Sequence, residues 1–363
     1  MTINLARALI RKEGIRVDLV LGKAEGPYVK DIPPGVRLID LKKDRMRSAV
    51  LPLARYLSTE KPDALVSGLD YANVAAVIAA ALSAVSVQTM VVTHIHLSSA
   101  LAHLSRSKRL LVRFMLRQTY PRAKVIVAVS HGVATDLAQL LRVPMSRIRV
   151  IYNPVVDQEL MIQAQEPVNH PWLSTPSHPV VVAVGRLTEQ KDFATLLRAC
   201  ALLKRHTEVR LVILGEGEER AELEQLVAEL GLDHIVDMPG FVPNPYSYML
   251  RATVVALSSR WEALPTVLIE AMSCGVPVVS TDCPSGPHEV LAGGKYGRLV
   301  PVGDAEAMAA ALLDAVQGRL PAGPPESWAP YSVESATSEY LRAFALPDRN
   351  CFSEPGARSL PRA

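Results

Sequence analysis

Two carboxylates, Glu262 and Glu270, stand eight residues apart in RWEALPTVLIEAMSCGVPVVSTD, a stretch otherwise almost free of charge. Pro265 suits the first position of a helix and Cys274 with Gly275 its end, so Glu262 falls in the loop ahead of that helix and Glu270 within it. A helix amino end presents free backbone N–H groups and a partial positive charge, a natural seat for phosphate. A carboxylate in the preceding loop is then placed to hold sugar hydroxyls, and one farther along the helix to hold those of a ribose. The plainer alternatives are an N-terminal cap for Glu262 and a solvent-facing position for Glu270. A second pair, Arg186 and Lys191, lies five residues apart in VGRLTEQKDF, directly after a strand-like run. Two cations there can clamp a diphosphate, arginine through its planar fork and lysine as a point charge. Otherwise they are solvated loop charges.

Two further motifs are weaker. His94 and His96 close the run VVTHIH. Two apart on a strand they would share a face, but without a third ligand they make a poor metal site. The alternative for His94 is a ring satisfied by backbone at a strand end. LGEGEER carries Gly215 and Gly217 but no third glycine, so it reads as a strand-to-helix turn and not as a dinucleotide fingerprint.

The elements that must position these residues are legible as alternating runs. VDLVL, DALVSG, TMVVTH, KVIVAVS and RVIYNP in the first half, and PVVVAVGR, RLVILGEG, HIVDMPG, TVVALSS and VPVVSTD in the second, are continuously apolar. Such runs indicate parallel strands buried on both faces. Amphipathic helical segments lie between them, which predicts an α/β chain of two doubly wound units. The first is expected over 1–153, a proline-rich linker with little helix or strand periodicity over 154–178, and the second over 179–320. A bridge and short helix over 321–346 and a flexible tail over 347–363 complete the expectation. The chain opens with a helix, MTINLARALIRKEG, where a βαβ unit would open with a strand, so the first unit is expected to lack its first strand and its start to be truncated.

Composition bounds the rest. Of 363 residues 49% are hydrophobic and only 5% aromatic, so the cores are aliphatic. No apolar run is long enough to span a bilayer, no signal peptide is evident, and the four cysteines form no CxxC pair, which suits a cytoplasmic protein. Residues 1–150 hold 23 lysines and arginines against 10 acidic residues, while the remainder is acidic. No acidic residue occurs between Asp70 and Asp136. The first half is therefore expected to face something anionic. In 100–124, Arg106, Arg109, Arg113 and Arg117 line one side of a helix, with Leu104, Leu111 and Met115 elsewhere and Leu110 and Phe114 at the margins. That pattern suits a helix lying on an anionic membrane surface, or alternatively a solvated basic face.

VGRLTEQKDF, LGEGEE, PGFVPNP and SSRWEALPTVLIEAMSCGVPVVSTDCPSGPHEVL, in that order, resemble the retaining glycosyltransferases of the GT-B fold, family 4. The resemblance spans about residues 15–320, and the CPSGPHE segment is similar to a branch that builds bacterial surface polysaccharides, with His288 where arginine is more usual. It implies that Arg186 and Lys191 hold the donor diphosphate, Glu270 the ribose and Glu262 the donor sugar. Phe241 and Val242 would pack on the base, Leu264 and Thr266 would offer backbone N–H groups to phosphate, and His94 would sit across the cleft. Ala263 replaces the family's usual glycine. The implied reaction moves a hexose from a nucleotide diphosphate sugar, UDP-sugar favoured, to a lipid-linked or polysaccharide acceptor with retention. No metal or other cofactor is expected, and no Asp-x-Asp occurs; no nucleic-acid partner is expected. Docking on the inner face of the plasma membrane would bring a lipid-linked acceptor within reach. The rivals are a nucleotide-sugar epimerase of the same fold and a non-catalytic truncated remnant.

Overall fold

The computed structural model describes residues 2–26, 29–102 and 104–344. The tail expected over 347–363 lies outside them, as do the last two residues of the bridge segment.

The second half is one parallel sheet. Its strands are β7 (Val180–Val184), β8 (Arg210–Leu214), β9 (Val236–Gly240), β10 (Val254–Leu257), β11 (Val278–Thr281) and β12 (Arg298–Val300), after β1 to β6 in the first half. The order across the sheet is β12-β11-β10-β7-β8-β9. The chain thus winds outward from β7, returns to the middle, and winds outward the other way from β10. Adjacent β7 and β10 form the switch point at whose carboxyl end α/β sheets open a crevice. Burial on both faces accounts for the unbroken valine runs. Val180 and Val182 join one core, while Val181 and Ala183 join the other under the helices Phe193–Leu203 and Ala305–Val316. Each valine so removed from water contributes about 1.5–3 kcal/mol.

The first half divides its strands. β1 (Asp18–Leu21) pairs with β2 (Arg37–Asp40), and a separate sheet runs β3 (Ala64–Ser67), β4 (Gln88–Thr93), β5 (Val125–Ala128), β6 (Ile148–Val150). All these pairings are parallel. Among the described residues no strand joins β1 to β3. Helix Met46–Glu60 spans the division, its Leu53 and Leu57 packing with Val20 of β1 and Leu65 of β3.

Two expectations need correction. The segment 154–178 is not irregular: Gln158–Gln165 is a helix whose Asp157 carboxylate accepts from the Leu160 N–H at 2.8 Å. Prolines bound that helix and do not interrupt it. The Tyr331 carbonyl accepts the N–H groups of Val155 and Val156, tying the crossing to the bridge region. The row of four arginines on helix Arg106–Thr119 also shortens to three. Arg117 turns inward and its Nε donates to the Leu140 carbonyl at 2.8 Å. Arg106, Arg109 and Arg113 rim a groove of about 230 Å³ floored by Leu101 and Leu140. Leu110, Leu111 and Phe114 are 59–63% exposed beside it.

Candidate active site

The loops leaving β7 and β10 are stitched together at the switch point. The Arg260 N–H donates to the Gln190 carbonyl at 2.8 Å, Gln190 Nε2 to the Trp261 carbonyl at 2.9 Å, and Ser258 Oγ to the Lys191 carbonyl at 2.8 Å. This stitching brings the two charged motifs together. Lys191 Nζ lies 2.6 Å from Glu262 Oε1, which also accepts from Ser259 Oγ at 2.7 Å. Glu262 is buried and caps nothing: helix Thr266–Ser273 has no side-chain cap, and Pro265 precedes the helix instead of opening it. Its backbone, at φ −75° and ψ 91°, is extended and outside the helical region.

Glu270 is partly buried and not fully solvent-facing. Burial pushes its carboxyl up to about 7, while a Thr266 hydrogen bond and the Lys191 charge pull the other way. Lys191 therefore acts on both carboxylates. Arg186 is exposed and, among the described residues, makes no ion pair. Thr266 begins the helix, so its N–H has no intrahelical acceptor. Leu264 is buried, whereas Phe241, just past β9, is 71% exposed and Val242 packs partly on the core.

The glycines of LGEGEER have a steric reason. A Cβ on Gly215 would stand 1.8 Å from the Gly185 carbonyl oxygen, and one on Gly217 would stand 2.1 Å from that of Leu187. The β8 loop can press on the Arg186 loop only without side chains there. A further cavity of about 320 Å³ near Asp192 is lined by Glu189, Glu219, Glu222 and Glu229 with Arg198 and Arg260. Its acidic lining is of the wrong sign for a diphosphate.

Comparison with known proteins agrees with this architecture. Residues 169–331 match the family model for glycosyl transferases group 1, and residues 1–159 that for glycosyltransferase family 4. The chain belongs to the family 4, group 1 glycosyltransferases. Among curated relatives, it is 35% identical over 196 residues to the N-acetylgalactosamine-N,N'-diacetylbacillosaminyl-diphospho-undecaprenol 4-alpha-N-acetylgalactosaminyltransferase of Campylobacter jejuni, covering 54% of this chain and 52% of that one. It is 38% identical over 146 residues to the lipopolysaccharide core biosynthesis glycosyltransferase LpsE of Rhizobium meliloti, covering 40% of this chain and 42% of LpsE. The chain thus matches about half the length of these relatives, or less. The Anabaena protein HepE, solved with UDP, superposes with a TM-score of 0.74 at 20% identity over 95% of this chain and 94% of its own. The lipopolysaccharide outer core galactosyltransferase WaaB gives 0.72 at 19% over the same shares. At these identities the likeness speaks to the fold, which is GT-B: two Rossmann-like units.

In this glycosyltransferase His94 does not share a strand face with His96. β4 ends at Thr93, and both histidines lie in the turn leading to helix Leu97–Ala102. Burial lowers His94 to about 4, so its ring is neutral at pH 7. Gly68 leaves the ring room, since a Cβ there would sit 3.0 Å from His94 Nε2. His96 Nδ1 instead meets Ser99 Oγ at 2.9 Å. Close in the fold are groups that motif reading missed. Asp70 has its carboxyl raised by burial to about 6 against a Tyr120 hydrogen bond, and buried Asn73 Nδ2 donates to Tyr120 Oη at 3.0 Å. Asp70 ends the long acid-bearing part of the first half, the only signal it carried. Ser259 was also missed, although serines beside Arg260 at a strand's carboxyl end could have flagged it.

Proposed function

We propose that this glycosyltransferase moves a hexose from a nucleotide diphosphate sugar, most simply a UDP-sugar, to a lipid-linked or glycan acceptor with retention of configuration. The observation that carries the reading is the meeting of Lys191 with Glu262 at the β7/β10 switch point, with Glu270 close enough to feel the Lys191 charge and an Arg186 that makes no ion pair among the described residues. While paired with Glu262, Lys191 keeps two N–H donors for a diphosphate. Arg186 adds a planar fork, and the Leu264 and Thr266 N–H groups complete a phosphate seat at the helix start. Glu270 accepts the ribose hydroxyls, Glu262 those of the donor sugar, and Phe241 with Val242 supports the base.

In the transfer step the bond between the anomeric carbon and the diphosphate oxygen breaks as the acceptor oxygen bonds to that carbon from the same face. The acceptor proton passes to the departing diphosphate. Arg186 and Lys191 stabilise the negative charge that grows there, the task otherwise given to a metal ion. Neutral His94 lines the acceptor side. Family members from the Campylobacter and Rhizobium chains carry names that point to lipid-linked and lipopolysaccharide acceptors. The basic rim of Arg106, Arg109 and Arg113 beside exposed Leu110, Leu111 and Phe114 supports peripheral docking on an anionic, cytoplasmic membrane face. No helix among the described residues is long and apolar enough to cross a membrane.

A saturation-transfer NMR screen of nucleotide sugars, followed by NMR assignment of the product's anomeric configuration, tests the reading. One UDP-sugar should saturate, and the product should keep the donor's configuration. An inverted product would remove the retaining mechanism. Isomerised nucleotide sugar with no transfer would favour an epimerase.

A further inference from the structure

The LGEGEER loop leaves β8, which lies between β7 and β9 in the sheet, and each of these three strands meets a glycine at its carboxyl end: Gly185, Gly215 and Gly240. The Gly185 N–H donates to the Leu214 carbonyl at 3.0 Å, the Leu187 N–H to the Glu216 carbonyl at 2.9 Å and the Gly215 N–H to the Gly240 carbonyl at 2.9 Å. The three loops thus pack backbone against backbone. Two strand spacings, about 10 Å, separate Gly185, beside Arg186, from Gly240, beside Phe241. Arg220 fastens this row. It opens helix Arg220–Glu229, where a cation opposes the helix dipole, so its place there needs compensation. Its Nε and Nη2 grip the two oxygens of Glu216 at 2.7 Å each, and its Nη1 donates to Glu224 Oε1 at 2.9 Å. Nη1 also reaches the Met238 carbonyl, and Nη2 the Gly215 carbonyl, both at 3.3 Å. All five N–H donors of the guanidinium are then in use. A plain surface ion pair needs only the carboxylates, whereas the two carbonyls tie the end of β8 to β9. Glu216 closes on the turn from its other side. A Cβ on Gly240 would stand 2.6 Å from Glu216 Oε1, and Gly240 holds a φ of 90° that favours glycine. The turn so held presents Phe241, 71% exposed, while Val242 rests in part on the core.

We propose that Arg220 and Glu216 are positioning residues that fix the 240–242 turn relative to the Arg186–Lys191 loop, and so make the donor site select a uracil-sized base over a purine. This rests on the reading of Phe241 and Val242 as the support of the base. Selectivity is a difference between two affinities. A diphosphate held at Lys191 brings the base to a set distance, and a turn without slack accepts one size of base. A purine has to displace Phe241 against the hydrogen bonds that Arg220 makes to Glu216, Gly215 and Met238. A turn fixed beforehand also loses little freedom when the correct base arrives. Loosening the grip therefore weakens binding of the base and lets a purine compete better. The phosphate end, carried by Arg186 and Lys191, is left as it was.

The test is calorimetric titration of the full chain with UDP, GDP, uridine and inorganic pyrophosphate, in the wild type, Arg220→Lys and Glu216→Gln. The pair is partly exposed, where an ion pair adds little to stability, so both variants should melt close to wild type. The wild type should prefer UDP to GDP by about thirtyfold. Arg220→Lys keeps the charge but loses the fork, and should bind uridine and UDP about tenfold more weakly with GDP unchanged, which cuts the preference to about threefold. Glu216→Gln keeps one acceptor oxygen and should lose about threefold for uridine and UDP. Pyrophosphate should bind all three proteins alike. Unchanged uridine affinity and base preference in Arg220→Lys would overturn the proposal, as would pyrophosphate weakened in step with uridine or a wild type that prefers GDP. A wild type that binds none of the four ligands would instead remove the donor reading, and this positioning role with it.

Discussion

The carboxyl ends of the two sheets face each other and are finished differently. In the second half, one continuous sheet delivers two loops that hydrogen-bond to each other, and the buried Glu262 carboxylate is satisfied by Lys191 and Ser259. In the first half the strands fall into two sheets, and the buried His94 Nδ1, Thr93 Oγ1 and Asn153 Oδ1 make no hydrogen bond of good geometry among the described residues. Leu69, just before helix Asp70–Leu82, and Tyr71, in its first turn, stand 70% and 72% exposed. A nucleotide diphosphate is a recurring ligand and suits a prebuilt, charged seat. On the proposed reading the acceptor is the more variable ligand and meets this less finished side. The charges divide the same way, basic in the first half and acidic in the second.

The two glutamates sharpen this comparison with the largest expected effect. Glu262→Gln should lower sugar transfer about a hundredfold while leaving UDP affinity nearly unchanged, read by initial rates beside calorimetry. Glu270→Gln should weaken UDP itself and show a pH signature. Its carboxyl titrates at about 7 in the folded protein against an ordinary 4.5. The folded state therefore holds that proton more tightly, and the resulting stability, full below 4.5, is lost as pH rises through 7. Denaturant melts should find Glu270→Gln equal to wild type at pH 4 and more stable by about 3 kcal/mol at pH 8. Equal transfer and UDP binding in both variants would reduce the spacing of eight to a structural feature.

A smaller effect per residue is expected from the first half. Replacing Arg106, Arg109 and Arg113 by alanine should reduce co-sedimentation with anionic vesicles by about 1 kcal/mol for each charge. Neutral vesicles, or high salt, should abolish the difference. Binding indifferent to lipid charge and salt would leave these arginines as a solvated face.

What was legible depended on sequence separation. Strands announced themselves because burial on both faces demands unbroken apolar runs, as in Val180–Val184. The charged motifs were legible because each is local, Arg186 to Lys191 and Glu262 to Glu270. Their meeting was not, since the 2.6 Å contact from Lys191 to Glu262 joins residues 71 apart through the order of β7 and β10. The same holds for Ser130 with Ala263, 133 apart. Helix Gln158–Gln165 was missed because the prolines around it outweighed a single Asp157 cap. Arg117 was misplaced because spacing shows which side of a helix a residue shares but not which carbonyl that side meets.

Lys191 lies at the centre of the account, so its removal tests the donor site most directly. Calorimetric titration of wild type and Lys191→Ala with UDP and with uridine separates the diphosphate from the nucleoside. The account predicts that UDP loses about 1.5–3 kcal/mol while uridine binds as before. Equal losses for both ligands, or none for either, would contradict the placement of the diphosphate at Lys191.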